Sequence, residues 1–163
     1  MKVLGLMSGT SMDGLDCCYA DIELNNRDIL KFRIIKCKTI PFQNSIRQLI
    51  AQTLVTDNND FIDDCDKKLG IIFLSIVKSF IKKNHIDLIA MHGQTISHIN
   101  KIKSVQIGDP HYLFNYYNIP IIYDFRSKDI QLGGNGAPLV PYLDWLLSKT
   151  TDTDIMTLNL GGI

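Results

Sequence analysis

The first part of the chain alternates short apolar runs with polar connections. The runs are KVLGLM at 2–7, CCYADIEL at 17–24 and FRIIKCKTI at 32–40, and Pro41 follows the third. Each run has the length and the β-branched or aromatic content of a strand. NNRD at 25–28 is typical of a turn. Because short connections join antiparallel neighbours, this pattern predicts a three-stranded antiparallel meander.

A helical period replaces the strand pattern after Pro41. We expect a short helix over 45–53 and a longer one over 57–83. The acidic residues in the first half of the longer helix are interpreted as helix-start and solvent-facing residues, since they suit the helix dipole. The apolar side chains of the longer helix recur every three or four positions, at Phe61, Cys65, Leu69, Ile72, Ile76 and Phe80.

The remaining chain alternates strands and helices. The pattern predicts a strand at 87–91, a hairpin around 100–103, a helix at 110–117, a strand at 119–125, a loop, a helix at 138–148 and a strand from 154. A meander that leads into such units predicts an α/β fold of the ribonuclease-H-like class, as in actin, hexokinase and sugar kinases. We expect a mixed sheet with helices on both faces.

Composition narrows the function classes. The 163 residues contain 17 Lys and Arg against 17 Asp and Glu, and 45% are hydrophobic. Without net charge, the chain has no general attraction to nucleic acid or to an anionic membrane. The four cysteines show no C-x-x-C spacing and are interpreted as free thiols of a reducing compartment. No signal-peptide pattern is present, so we expect a cytoplasmic protein.

The first polar motif is GLMSGTSMDGLD, residues 5–16, directly after the first predicted strand. Backbone N–H groups of a Gly/Ser/Thr turn can converge on a phosphate, and Thr10 and Ser11 add hydroxyl donors. Asp13 and Asp16 would repel a bare phosphate but suit a Mg²⁺ ion or its water shell. The alternative is a plain hairpin turn at Asp13-Gly14. The motif is neither G-x-G-x-x-G nor a P-loop.

The second motif is HGQTISH, residues 92–98, at the expected end of a strand. Ligands of open α/β sheets bind beyond the carboxyl ends of strands, and these neutral side chains suit sugar hydroxyls and amides. A metal site with Asp109 and His111 is an alternative that no known ligand spacing supports. A hydrolase triad of Ser8 or Ser11 with His92 lacks the G-x-S-x-G elbow.

The third motif is DFRSKDIQLGGNGAPLVP, residues 124–141. Arg126 offers a planar fork of donors that suits a carboxylate or a phosphate. The alternative is a structural ion pair of Arg126 with Asp124 or Asp129, beside a glycine-rich linker. The residues alone leave both interpretations open.

Together these motifs resemble those of the anhydro-N-acetylmuramic acid kinase family of bacterial cell-wall recycling. VQIGD at 105–109 is similar to a further family motif, and LNLGGI at 158–163 resembles the first strand of the family's second domain. The resemblance implies an ATP-dependent kinase of the actin and hexokinase fold. Such enzymes open the 1,6-anhydro ring with water while phosphorylating O6, which yields N-acetylmuramic acid 6-phosphate.

The resemblance also implies site residues and partners. ATP and Mg²⁺ are the implied cofactors, with Asp13 holding Mg²⁺ through water, and Arg126 is matched to the lactyl carboxylate of the sugar. The implied partners are an amino sugar and a nucleotide, without nucleic acid or membrane, and a homodimer in the full-length family. The implied ATP loop is Gly9, Thr10, Ser11, Met12, Asp13, Gly14, Leu15 and Asp16, and the implied sugar contacts are His92, Gln94, Thr95 and Arg126.

One departure from the family pattern concerns catalysis. Family members are longer, and their general-base Asp lies in a later D-x-G-P-G-N motif, which residues 1–163 do not contain. The resemblance therefore implies that the base lies beyond Ile163 and that this chain carries no catalytic residue. We expect an N-terminal domain over 1–155, the start of a truncated second domain over 156–163, and an isolated chain without activity. The alternatives are another sugar or acid kinase of this fold, and a non-catalytic module that binds nucleotide or sugar.

Overall fold

A computed structural model describes residues 1–24, 30–149 and 153–158 of the chain. The predicted turn at 25–28 lies outside these residues. The helices are α1 (Asn44–Thr53), α2 (Asn59–Ile81), α3 (His111–Tyr117), α4 (Ser127–Gln131) and α5 (Val140–Ser148). The strands are β1 (Lys2–Ser8), β2 (Gly14–Leu24), β3 (Leu30–Pro41), β4 (Leu88–Ile99), β5 (Lys103–Ile107) and β6 (Ile121–Tyr123).

The six strands form one mixed sheet. The order is β3-β2-β1-β4-β5, and β6 also pairs with β4. The first three strands form an antiparallel meander, and β1 then runs parallel to β4, which runs parallel to β6. The helix α2 lies between β3 and β4 in the sequence and supplies the long connection that a parallel neighbour requires. The prediction of an α/β fold with a mixed sheet is confirmed.

Strand β4 is longer than the sequence pattern predicts. We expected a strand over 87–91, with HGQTISH at its end, and a separate hairpin around 100–103, but one strand continues to Ile99 and forms the first arm of that hairpin. Its first part pairs with β1 and β6, and its second part, from Gln94 onward, pairs with β5. Gly93, with a φ of +76°, stands at the change of partners. The polar run becomes part of the strand because β5 satisfies its backbone groups, which confirms the predicted hairpin and joins it to the strand at 87–91.

Helices cover one face of the sheet. Leu4, Tyr19 and Ile89 belong to a buried cluster that includes Phe73 of α2 and Leu113 of α3. On the opposite face, identified from the strand register, Ile34 and Ile122 are about half exposed. Val3 and Ala20 on that same face are buried, so the expectation of helices on both faces stays a prediction.

Helix boundaries follow from capping. The side chain of Asn58 accepts a hydrogen bond from the N–H of Phe61, so α2 begins at Asn59 rather than at the predicted residue 57. Stabilisation of orphan N–H groups by an Asn side chain is a common way to start a helix. No described helix has the length and hydrophobicity needed to cross a membrane.

Two predictions near the C-terminus differ from the structure. The expected loop after β6 contains the short helix α4, which begins after Arg126. The strand expected from residue 154 does not form within 153–158. A strand needs a partner to satisfy its backbone groups, and none of the described strands pairs with this segment.

The last residues of that expected strand lie outside the described part of the chain. They run from 159 to Ile163, the residue beyond which the family resemblance places the general base. The second-domain strand expected at LNLGGI and the position of the base therefore both stay predictions.

Candidate functional site

The first two polar motifs meet at one edge of the sheet. Strand β1 ends at Ser8, which lies opposite Gln94 of the parallel strand β4. The loop 9–13 leaves the sheet at this point and returns into β2. Because carboxyl ends of parallel strands share an edge, the predicted nucleotide loop and the predicted sugar contacts are neighbours.

A buried hydrogen bond anchors the loop. The hydroxyl of Ser8 donates to Oε1 of Gln94 over 2.6 Å, and both side chains are almost completely buried. The amide nitrogen of Gln94 donates to the carbonyl oxygen of Thr95. Both polar atoms of the Gln94 amide therefore have partners within the protein. Gln94 therefore holds Ser8, the residue that directly precedes the loop, in place.

The loop itself faces solvent. The N–H of Met12 donates to the carbonyl oxygen of Gly9, which closes a tight turn in which Met12 has a φ of +54°. Thr10, Ser11 and Asp13 are exposed. The Ser11 hydroxyl donates to the Asp13 carboxylate over 2.7 Å, and this hydrogen bond lowers the pKa of Asp13. The loop thus presents hydroxyl groups and an ionised carboxylate, a donor set that suits a hydrated Mg²⁺ ion beside a phosphate.

Three residues of the implied ATP loop belong to strand β2. A Cβ atom on Gly14 would lie 2.5 Å from the carbonyl oxygen of Ile40, so β3 leaves no space for a side chain here. Leu15 is buried in the core, and Asp16 accepts a hydrogen bond from the Thr39 hydroxyl. These side chains hold the meander together, and the loop that faces solvent is limited to 9–13.

The third motif joins the second through His92 and Arg126. Both Nε and Nη2 of Arg126 approach Nε2 of His92, at 3.1 and 2.9 Å. On its other side, Nδ1 of His92 lies 2.9 Å from the carbonyl oxygen of Gly93. The third contact of the guanidinium is a 2.7 Å hydrogen bond from Nη1 to the carbonyl oxygen of Gly136. His92 is buried and Arg126 is partly buried.

The guanidinium of Arg126 has no carboxylate partner among the described residues. The alternative of an ion pair with Asp124 or Asp129 is therefore not observed. The Asp124 carboxylate accepts from the N–H of Ser127, and the Asp129 carboxylate accepts from the N–H of Gly136. Burial lowers the pKa of Arg126. The site holds a partly desolvated cation between neutral acceptors, which favours binding of an anion.

A cavity of about 500 Å³ is lined by His92 and by Asp124 and Ser127, the residues two before and one after Arg126 in the chain. Its wall includes Asp66 of α2, which sequence reasoning missed. Asp66 accepts a hydrogen bond from the N–H of Gly108, yet burial raises its pKa. The sequence feature that points to Asp66 is its position on the apolar face of α2, between Ile62 and Leu69, where an acidic residue is unusual. The polar lining residues are Asp66, His92, Ser104, Gln106, Asp109, His111, Tyr123, Asp124 and Ser127.

The other predicted sugar contacts are Gln94 and Thr95. Their side chains form hydrogen bonds with residues other than His92 and Arg126. The hydroxyl of Thr95 accepts from Nε2 of Gln106 over 3.3 Å, within the β4–β5 hairpin. The alternative metal site does not assemble, since His98 pairs with Asn100 and His111 pairs with Asp109. Across residues 1–24, 30–149 and 153–158, no three His, Cys, Asp or Glu side chains are grouped as a metal site would require.

The sequence agrees with one protein family along its whole length. The model of the family described as anhydro-N-acetylmuramic acid kinase matches residues 1–163. The chain belongs to this kinase family. The resemblance inferred from the polar motifs is thereby confirmed.

Curated relatives carry the same description. Anhydro-N-acetylmuramic acid kinase of Bacillus cereus (strain Q1) is 37% identical over 176 residues, which cover 100% of this chain and 46% of the relative. The kinase of the same name from Bacillus thuringiensis subsp. konkukian (strain 97-27) is 38% identical with the same coverage. The chain therefore spans about half the length of the curated relatives that it matches. Among solved structures, RuvC of Thermus thermophilus matches with a TM-score of 0.41 and 11% identity, over 91% of this chain and 79% of that chain.

Proposed function

We propose that this chain supplies the nucleotide loop and part of the sugar site of an ATP- and Mg²⁺-dependent kinase with a ribonuclease-H-like fold. The enzyme would open 1,6-anhydro-N-acetylmuramic acid with water and phosphorylate it to N-acetylmuramic acid 6-phosphate. Membership of the kinase family supports the reaction class. The observation that carries the substrate is Arg126, a cation without a carboxylate partner among the described residues, which suits the lactyl carboxylate of a muramic sugar.

The proposed nucleotide site is the exposed turn at 9–13. Its backbone and the hydroxyls of Thr10 and Ser11 would face the phosphates of ATP, and the Asp13 carboxylate would hold a water ligand of Mg²⁺. When bound, Mg²⁺ would offset the repulsion between phosphate and carboxylate. The Ser8–Gln94 hydrogen bond would fix the turn relative to the sugar site at the end of β4.

The proposed role of the chain is binding rather than complete catalysis. Activation of the attacking water requires a general base. The resemblance assigns this base to a D-x-G-P-G-N motif, which is expected beyond Ile163 and does not occur within residues 1–163. We therefore propose that the isolated chain binds nucleotide and sugar without turning over.

Calorimetry and a phosphate-transfer assay on the purified chain test this proposal. We expect binding of ATP with Mg²⁺, stronger binding of 1,6-anhydro-N-acetylmuramic acid than of its N-acetylglucosamine counterpart, and no transfer of phosphate. The counterpart lacks only the lactyl group, so it isolates the carboxylate. Preference for a neutral sugar would favour another sugar kinase of this fold. Measurable transfer would contradict the proposed lack of turnover, and binding of neither ligand would contradict the binding role.

A further inference from the structure

We propose that His92 and Asp129 are positioning residues, which aim the guanidinium of Arg126 at a carboxylate and do not contact the ligand themselves. This inference rests on the proposed function, because it assumes that Arg126 is the residue that binds the anion. It assigns His92 a different role from the direct sugar contact that the family resemblance implies. The evidence is the set of nitrogen and oxygen atoms that already have hydrogen-bond partners within the protein.

The hydrogen-bond partners of His92 determine its tautomer. The Gly93 carbonyl oxygen, 2.9 Å from Nδ1, can only accept, so Nδ1 carries the proton and donates it. The nitrogens of Arg126 can only donate, so Nε2 of His92 is the unprotonated acceptor. Burial lowers the pKa of His92, which keeps the ring neutral. Both ring nitrogens are therefore used within the protein.

Asp129 acts on Arg126 through the backbone of Gly136. Oδ2 of Asp129 accepts from the Gly136 N–H over 2.7 Å, and the main-chain oxygen of Asp129 accepts from the Gly134 N–H. Gly136 is thus held at its N–H, and its own carbonyl oxygen, in the next peptide unit, accepts from Nη1 of Arg126. Gly136 has a φ of +73°, and a Cβ there would lie 2.8 Å from the Ile130 side chain. Glycine is therefore the residue that suits this position.

The geometry leaves a defined set of donors on Arg126. A guanidinium has five N–H bonds, and His92 and Gly136 occupy three of them. One N–H remains on each terminal nitrogen, which is the number that a carboxylate accepts in a two-point contact. Neutral acceptors orient the cation without cancelling its charge, whereas a carboxylate partner would compete with the ligand.

Nuclear magnetic resonance of the free 163-residue chain tests the geometry without any sugar. We expect long-range ¹H–¹⁵N correlations to show His92 protonated at Nδ1 only, and a scalar coupling between Nε of Arg126 and Nε2 of His92 across the hydrogen bond. A His92 ring protonated at Nε2, or an Arg126 Nε without coupling to His92, would overturn the proposal. This measurement needs no variant and therefore does not depend on whether a substitution folds.

Titration with D-lactate, a simple carboxylate, tests the function of the geometry. We expect D-lactate to shift the Arg126 Nε–H signal, and His92→Leu to weaken this binding roughly tenfold, because a hydrogen bond to a charged group is lost. His92→Gln places an amide oxygen near the former Nε2 and should retain binding within about threefold. A D-lactate titration that leaves the Arg126 signal unchanged would overturn the proposal.

The Asp129 variants separate charge from hydrogen bonding. Asp129→Ala should weaken D-lactate binding as His92→Leu does, whereas Asp129→Asn keeps an acceptor for the Gly136 N–H and should bind at least as well as the parent. Equal weakening by both Asp129 variants would contradict a positioning role.

Neutral sugar binding distinguishes positioning from contact. If His92 only positions Arg126, His92→Leu should weaken binding of 1,6-anhydro-N-acetylmuramic acid and leave binding of 1,6-anhydro-N-acetylglucosamine unchanged. Equal losses for both sugars would make His92 a direct contact and overturn the proposal. If D-lactate behaves as expected but the parent chain shows no preference for the anhydro-muramic sugar, the proposed function fails and the positioning role stands.

Discussion

The two polar regions at the carboxyl edge of the sheet are built in opposite ways. The Arg126 region is partly buried, and its charged group is held by hydrogen bonds to His92 and Gly136. The loop at 9–13 exposes its hydroxyls and its carboxylate, and it is anchored from below by Ser8 and Gln94. The first region offers a preformed cation to an anion. The second carries a negative charge, which would repel a bare phosphate and suits a hydrated cation.

This difference predicts different sensitivities to substitution. Binding of a ligand to a preformed cation should depend on one side chain and on the groups that orient it. Binding of a ligand to an exposed loop should depend on many weak contacts and on the metal ion. Single substitutions should therefore have larger effects on anion binding at Arg126 than on nucleotide binding at the loop.

The largest effect is expected for Arg126→Met. Loss of two hydrogen bonds to a charged group, each worth about 1.5–3 kcal/mol, should weaken binding of 1,6-anhydro-N-acetylmuramic acid roughly 100-fold or more. Calorimetry measures this change, and 1,6-anhydro-N-acetylglucosamine should bind as before. Arg33→Met, at an exposed arginine of β3, is the matched control. A loss below about threefold would show that the preformed cation is not the anion site.

The anchor of the loop is tested by Gln94→Leu. This change removes the 2.6 Å acceptor of the buried Ser8 hydroxyl, which keeps the Gly14 carbonyl oxygen at 3.2 Å, and should lower the free energy of unfolding by about 1 kcal/mol. Urea unfolding measures it, with Gln48→Leu at an exposed position of α1 as the control. Adding Ser8→Ala to Gln94→Leu should cost little more, because both polar partners are then removed together. Additive losses would contradict a coupled pair.

The metal dependence of the loop is tested by Asp13→Asn. If Asp13 holds a water ligand of Mg²⁺, its neutralisation should weaken binding of Mg²⁺–ATP roughly five- to tenfold, the effect of about 1 kcal/mol. Binding of ATP without the metal should not weaken, because a repulsive charge is removed. Calorimetry with and without Mg²⁺ measures both, and Asp57→Asn at an exposed position is the control. Equal weakening in both conditions would exclude a metal role.

The smallest effect concerns the pH dependence of stability. Burial lowers the pKa of His92 below its ordinary value of 6.5. The unfolded chain therefore binds a proton at this position before the folded chain does, and the stability present above pH 6.5 is lost as the pH falls toward the folded pKa. Asp66, whose pKa is raised by burial, lines the same cavity and adds its own pH dependence.

The His92→Gln variant isolates this contribution. We expect the difference in unfolding free energy between the parent and His92→Gln to become less favourable to the parent as the pH falls from 7 toward 5. Urea unfolding at several pH values measures the difference, and the other cavity groups cancel in the comparison. A difference that does not change with pH would contradict a histidine held neutral.

The sequence by itself predicted the elements whose signals are local. The helical period of α2 and the alternation of β1 to β3 depend on residues close in the chain, and the structure contains each of these elements near the expected bounds. The motifs also predicted the family, because their combination and order are specific even though each motif is short. Arg126 was recognised as a candidate because a guanidinium at a strand end has a clear chemistry.

Tertiary structure alone decided how the site is arranged. The extension of β4 to Ile99 depends on pairing with β5, and the burial of Gln94 against Ser8 depends on the parallel register of β1 and β4. The choice of neutral partners for Arg126, rather than nearby carboxylates of its own loop, follows from the turn around Gly136 and from the position of His92. Such contacts join residues far apart in the sequence, and their geometry exists only after the sheet has formed.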